Sequence, residues 1–260
     1  MYRKAFKDIS LYQFANLSPF PEISHYVSGR TADGAVGDFN LSFKVGDAAE
    51  ARKNRSLLAH NLGIQNDCML FPDQTHSTNV QVIRNCSNAL DANIDALITA
   101  IPGICINVMS ADCVPILLYD PKAKVIAAIH SGWRGTVGKI VTKTLQTMQD
   151  HFSSQAKDVI ASIGPSICAE VYEVGNEVVD AVTKSFPKFH SKVILAQDGK
   201  PHLDLWQANV LQLQEAGLPL SSIEVAGICT YKSSNHFFSA RKESISTGRF
   251  AVGICLTKAL

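Results

Sequence analysis

Three places in the chain set metal-competent or nucleophilic side chains against apolar runs: His76 in "FPDQTHSTNV", Cys113 in "MSADCVPILL" and His130 in "AAIHSGWRG". Imidazole nitrogen and thiolate sulfur are the donors zinc prefers, and three protein ligands with an open fourth position mark a catalytic rather than a structural site. The intervals of 37 and 17 positions match no compact zinc-ribbon spacing. Singly, each residue has a plain structural role open to it: His76 can cap a loop, Cys113 can be a small core thiol before Pro115, and His130 can satisfy a strand-end carbonyl. Jointly they admit three chemistries. They can hold zinc. Cys113 and His130 can form a cysteine-hydrolase dyad, with Asp112 or Gln74 as the third group. Two histidines and a cysteine are also a copper donor set, although no methionine is expected beside the three and the other histidines form no His-x-His pair.

These residues need elements to position them. "KVIAAIHS" reads as a buried strand and "GTVGKIVTKTLQTMQDHF" as one amphipathic helix with Val137, Ile140, Val141, Leu145, Met148 and Phe152 on its apolar face. His130 then stands at a strand's carboxyl end, where open α/β sheets place ligands, and Arg134 stands at a helix start, where anions are favoured. "DAAEARKNRSLLAHNLG" predicts a helix capped by Asp47, with Glu50 in capping-box spacing, and stopped by Gly63. "VQVIR", "DALIT", "ICINVMS", "PILLYDP" and "VIASIG" read as strands, "NEVVDAVTKSF" and "DLWQANVLQLQEAG" as helices, and "IEVAGICT" and "RFAVGICL" as final strands. The short "YDPKAK" turn joins antiparallel neighbours, so the expected fold is a layered α/β (α+β) sandwich with mixed sheets.

Composition narrows the function classes. The 260 residues are 46% hydrophobic and 18% charged, with a formal net charge of +1; this describes a globular chain and gives neither a nucleic-acid nor a membrane-surface footprint. The amino terminus has no continuous apolar core of a signal peptide, so a soluble, cytoplasmic protein is expected. Seven cysteines stand singly, with no C-x-x-C pair; a disulfide framework is not expected, and most read as core thiols. No repeat or linker divides the chain.

"DQTHSTNV", "ADCVPILLYDP", "AAIHSGWRG", "IGPSICAEVYEVG", "LDLWQAN", "CTY", "FFSARKE" and "TGRFAVGICL", in this order, resemble the polyphenol oxidoreductase or "laccase domain" family, also called the YfiH family. The resemblance runs from about "HYVSGR" to the carboxyl terminus. It implies an α-β-β-α layering, one domain over residues 1–260, and purine nucleoside phosphorylase activity, with adenosine deamination as a second activity. It also implies zinc rather than copper, held by His76, Cys113 and His130. "THS" stands where many relatives have Val-His-Gly, and "HSGWRG" replaces His-Ala-Gly-Trp-Arg-Gly; neither change removes a ligand.

Phosphorolysis needs an anion site and a ribose site. Arginine suits phosphate through its planar fork, so Arg134 is the first phosphate candidate, with Arg241 and Arg249 next. Asn40 in "FNLSF" and Gln74 suit a ribose or base edge, and Asp112 can orient a ligand or move a proton. The expected partners are a purine nucleoside and phosphate, with no nucleic acid and no membrane. Trp133 is expected to pack and fix the turn.

Overall fold

The computed structural model describes residues 1–6, 9–32, 38–86 and 90–257. In chain order the elements are β1 (Tyr2–Phe6), β2 (Ile9–Gln13), β3 (Ile23–Val27), α1 (Ala48–Leu62), β4 (Met69–Leu70), β5 (Val80–Ile83), β6 (Ala96–Thr99), β7 (Cys105–Ser110), β8 (Val114–Asp120) and β9 (Val125–Ser131). There follow α2 (Trp133–Val137), α3 (Ile140–Phe152), β10 (Ile160–Ile163), α4 (Asn176–Ser185), α5 (His190–Val193), β11 (Ile194–Gln197), β12 (Lys200–Leu203), α6 (Leu205–Glu215), β13 (Ile223–Val225) and β14 (Phe250–Leu256).

Two six-stranded mixed sheets form the body, one ordered β1-β2-β3-β14-β7-β4 and the other β13-β10-β8-β9-β6-β5. The strand pairs β4–β7, β5–β6 and β10–β13 are parallel, and the rest within these sheets are antiparallel. Alternation along the strands decides the layering. In β9, Ile126 and Ala128 face the first sheet and meet Ile106, Val108, Val252 and Ile254. Val125, Ala127 and Ile129 face the other way, onto Ile140, Val141 and Met148 of α3 and Ala208 and Leu211 of α6. The outer face of the first sheet, through Tyr26, Cys105 and Ala251, packs on Leu58 and Ala59 of α1. The layers are therefore α-β-β-α in one domain, as expected. Among the described residues no helix is long and apolar enough to cross a membrane.

The caps of α1 are those its sequence predicts: Asp47 accepts from the Ala49 N–H at 2.7 Å and Gly63 adopts φ 68°. Asp204 caps α6 through the Gln207 N–H at 2.9 Å.

Three expectations are corrected. The helix expected to run unbroken from Gly135 is two helices, interrupted at Gly138 and at Lys139, whose φ is 63°. A Cβ at Gly138 would collide with Thr78. Two side chains from elsewhere take up carbonyls of the first piece: Ser185 Oγ donates to Val137 O at 2.8 Å and Gln212 Nε2 to Thr136 O at 3.0 Å. Second, Cys68 and Cys86 form a disulfide, although a disulfide framework was not expected; Cys105, Cys168, Cys229 and Cys255 are buried and outside it. Third, β1 to β3 and the β11–β12 hairpin were not foreseen. β1 is exposed at Tyr2, Arg3, Lys4 and Ala5, so it carries no alternation to read, and at the sheet's edge its pairing with β2 defines it.

Candidate functional site

His76 lies in the irregular segment between β4, which belongs to the first sheet, and β5, which belongs to the second. Cys113 sits on the turn from β7 to β8, another crossing between the sheets, and His130 is the penultimate residue of β9. These crossings bring the three together at one end of the sandwich. One donor atom from each lies within 4.8 Å of the other two, with Cys113 Sγ 3.7 Å from His76 Nε2. Gly132 leaves the space between them: a Cβ there would fall 2.8 Å from Cys113 Sγ and 3.0 Å from His76 Cδ2. Such a clash cannot be relieved without moving a ligand.

The residue that builds the cluster is one the sequence reading passed over. Asp95, immediately before β6, is fully buried. Its Oδ1 accepts from His76 N–H at 3.1 Å and lies 2.7 Å from His130 Nδ1. Its Oδ2 accepts from Thr75 N–H at 3.2 Å and from both Ser77 N–H and Ser77 Oγ at 2.7 Å. The backbone joins in, with His130 N–H donating to Asp95 O at 2.8 Å. One carboxylate thus fixes the His76 loop, at whose tip His76 takes φ 63°, and commits His130 Nδ1 so that Nε2 is the free donor. A carboxylate behind a ligating histidine is the usual support of a metal site. The only local signal was an acidic residue at the head of the strand-like "DALIT".

The electrostatics follow from the geometry. Burial works against the Asp95 carboxylate, but its bonds from His130 and Ser77 prevail and hold it down to about 2. Burial likewise opposes charge on Cys113, yet His130 and His76 beside it bring the thiol down to about 6. Burial would lower His130, but the Cys113 thiolate and Asp95 raise it to about 9. Both shifts favour a thiolate on Cys113 beside an imidazolium at His130; a metal ion held here would take the place of the His130 Nε2 proton.

The cluster floors a cavity of about 450 Å³, within the range of small-molecule sites. Ile167, Tyr172, Ala240 and Ile245 give it an apolar side, while Lys44, Arg241 and Arg249 bring positive charge. Arg249 is braced by carbonyls: Nη1 donates to Thr247 O and to Gly248 O at 3.0 Å, and Nη2 to Ile245 O at 2.8 Å. Burial pulls its pKa down, against the charges of Cys113 and Asp112. Arg241 donates to Glu173 O at 3.1 Å and lies 5.0 Å from the Tyr172 ring centroid. Lys44 pairs with Asp73.

The other expected site residues divide. Gln74 lines the cavity, but both ends of its amide are bound to the Met109 backbone at 2.8 Å. Asn40 stands behind the wall: its Oδ1 accepts from Ser42 and Arg249 N–H at 3.0 and 2.9 Å, and its Nδ2 donates to Val45 O at 2.8 Å. Asp112 lines the cavity with its carboxylate engaged by Thr230 Oγ1, Ser239 Oγ and Arg241 N–H at 2.6, 2.8 and 2.6 Å, so it anchors the segment bearing Arg241. Arg134 is not among the cavity-lining residues; its guanidinium lies 4.3 Å from the Trp133 ring centroid, beside a separate shallow depression. Arg134 is the second residue of α2, which has only five residues and so little of the aligned dipole on which the expected anion site drew. Trp133 packs on the core. Met109 does line the cavity, contrary to expectation, but its Sδ accepts from Arg55 Nη2 at 3.6 Å.

A family model described as multi-copper polyphenol oxidoreductase laccase matches residues 25–257. The chain is 40% identical to a protein of Bacteroides thetaiotaomicron named purine nucleoside phosphorylase, over 97% of this chain and 98% of that one. It is also 40% identical to adenosine deaminase RL5, from an unknown prokaryotic organism, over 88% of this chain and 89% of that one. Among solved structures, YlmD from Geobacillus stearothermophilus superimposes with a TM-score of 0.89 at 27% identity, covering 99% of both chains.

Proposed function

The chain belongs to the multi-copper polyphenol oxidoreductase laccase family, and from that membership and its site we propose that it is a zinc-dependent purine nucleoside phosphorylase. One observation carries the reading: three convergent N and S donors, backed by a buried carboxylate, floor a cavity edged by cations. The Bacteroides thetaiotaomicron relative named purine nucleoside phosphorylase supports the substrate class, and the donor set, with its room at Gly132, is of the kind that would hold zinc with three protein ligands. His76, Cys113 and His130 would hold the ion, which when bound supplies Lewis acidity at the cavity floor.

In phosphorolysis a phosphate oxygen bonds to C1′ of the ribose as the C1′–N9 bond breaks, its electron pair leaving with the purine. On this reading Arg249 and Arg241, with Lys44, would bind and orient phosphate; their presence in the cavity wall and the carbonyls that brace the Arg249 fork support it. Tyr172, Ile167 and Ala240 offer the apolar wall against which a purine would lie and exclude water from the bond being broken, with the exposed Ile245 at the rim. Asp95 keeps His130 in the ligating tautomer, and Asp112 keeps the Arg241 segment in place.

The test is base release from a nucleoside panel with and without inorganic phosphate. Release only with phosphate, with ribose 1-phosphate as co-product, is the expected result; equal release without it refutes phosphorolysis. Arg249→Ala should raise the phosphate KM by roughly tenfold or more, on the scale of a lost charge-assisted hydrogen bond, whereas Arg134→Ala should leave it within about twofold. The relative named adenosine deaminase supports a second reading, in which water replaces the 6-amino group of adenosine in the same cavity; ammonia release without phosphate identifies it. Activity that persists after metal removal would favour the Cys113–His130 hydrolase dyad instead.

A further inference from the structure

The Cys68–Cys86 disulfide lies outside the site, yet the segment it closes carries a metal ligand. Cys68 directly precedes β4 and Cys86 follows β5, 18 positions later, with His76 between them. β4 has two residues and is the edge strand of the first sheet; β5 is the edge strand of the second and pairs only with β6. The His76 segment is thus hung between two edges, where pairing is weakest and local opening easiest. Its inner fastenings are the Asp95 carboxylate and Gln74 around His76, and bonds from Ile94 N–H to Asp73 O, from Asp95 and Ala96 N–H to Asn79 O, from Ser77 Oγ and Asn79 Nδ2 to Asn93 O, and from Lys143 Nζ to Thr78 Oγ1; at its outer ends the disulfide joins the entry to β4 and the exit from β5. Cys68 also lines a second cavity, of about 340 Å³, with Gly63, Gln65 and Cys255, which gives a small reductant a route to the bond.

We propose that the Cys68–Cys86 disulfide is a positioning crosslink for His76, and that its reduction loosens this ligand and releases the metal ion faster. This rests on the metal-site reading above but not on the identity of the substrate. Reduction by a dithiol adds two electrons and two protons to the cystine, giving two thiols, while the dithiol becomes its cyclic disulfide. In a reducing compartment, such as the cytoplasm expected from the sequence, a bond of this kind forms and breaks with the thiol pool. Metal retention would then follow redox state.

The experiment uses the zinc-loaded, oxidised protein and follows transfer of zinc to a chromophoric chelator, with and without a phosphine reductant, which is oxidised to phosphine oxide as it takes up the oxygen of water. Reduction should speed zinc release by roughly tenfold, the scale on which supports behind a ligand act. The Cys68→Ser/Cys86→Ser double variant should release zinc at the fast rate with or without reductant. A parallel hydrogen-exchange measurement on the metal-free wild-type protein should show the amides of Thr75, His76 and Ser77 exchanging faster after reduction, with those of β8 and β9 unchanged. Equal release rates and equal exchange in both redox states overturn the proposal, as does a reductant effect that persists in the double variant. If the oxidised protein binds no zinc at all, the metal reading fails, and exchange at Thr75 to Ser77 alone decides whether the crosslink positions the segment.

Discussion

Replacing Asp95 by asparagine keeps the size of the side chain and removes its ability to accept at both ends. The carboxylate receives His76 N–H and His130 Nδ1 on one oxygen and Thr75 N–H, Ser77 N–H and Ser77 Oγ on the other. An amide must turn its NH2 toward one of these groups. Facing the smaller group costs least, yet it sets donor against donor at His76 N–H. It also forces His130 either to lose its partner or to move its proton to Nε2, the atom a metal needs. The charge itself can be weighed. Holding the carboxylate at about 2 rather than 3.8 is equivalent to ~2 kcal/mol. This contribution is full above the ordinary carboxylate value and is lost as pH falls through about 2. The bonds from His130 and Ser77 are already in that figure; the His76 N–H left unpaired adds ~1–3 kcal/mol, for a total of about 3–5 kcal/mol at neutral pH. At about 2–4 °C per kcal/mol for a domain of this size, the metal-free variant should melt roughly 6–20 °C lower, and the deficit should shrink toward pH 2. Zinc affinity, read by chelator competition, should fall about 10- to 100-fold. A Tm within 2 °C of the parent (roughly 1 kcal/mol or less) together with zinc affinity within about twofold would refute the reasoning, because no buried amide can satisfy that set of donors.

In the metal-free protein Cys113, whose thiol is lowered to about 6, should react with iodoacetamide along a rate profile whose midpoint lies near 6, and zinc should protect it; a midpoint above 8 would mean that the thiolate–imidazolium pair does not form. Gly132→Ala is permitted by the backbone, with φ −68°, yet its methyl would meet Cys113 Sγ and His76 Cδ2, so zinc content by elemental analysis should fall well below one per chain while the fold, followed by circular dichroism, is kept; full occupancy would show that the ligands can part at no cost. Removing the disulfide should lower global stability by about 3 kcal/mol for a loop of this length, read from denaturant unfolding with the slope fitted freely, because a chain without the crosslink exposes more surface when unfolded.

The three candidate donors left a local mark, since His76, Cys113 and His130 interrupt apolar runs with types that a core has little use for, but their grouping into one metal set came from the motifs that resemble the family; the helix ends at Asp47, Gly63 and Asp204 carry caps whose hydrogen bonds close within a few residues. The strand and helix runs pointed to a layered sandwich with mixed sheets, and the α-β-β-α order came from the family resemblance; the structure realises it through strands whose two faces are apolar for different partners. What surrounds the ligands was decided by contacts made across the chain. Asp95 supports His130 from 35 positions away, Asp112 holds Arg241 from 129 and Asn40 holds Arg249 from 209. An acidic or amide side chain in a loop has the same local appearance whether it caps a turn or carries a site. Arg134 shows the converse: its position one turn past His130 in sequence suggested a shared site, but the helix start lays it over Trp133, outside the residues that line the cavity. The break at Gly138 and Lys139 belongs to the same class, since Thr78, Ser185 and Gln212 impose it from other segments. Local sequence thus determined which groups are present and which elements carry them; their orientation was settled only when the two sheets closed and the crossings between them met.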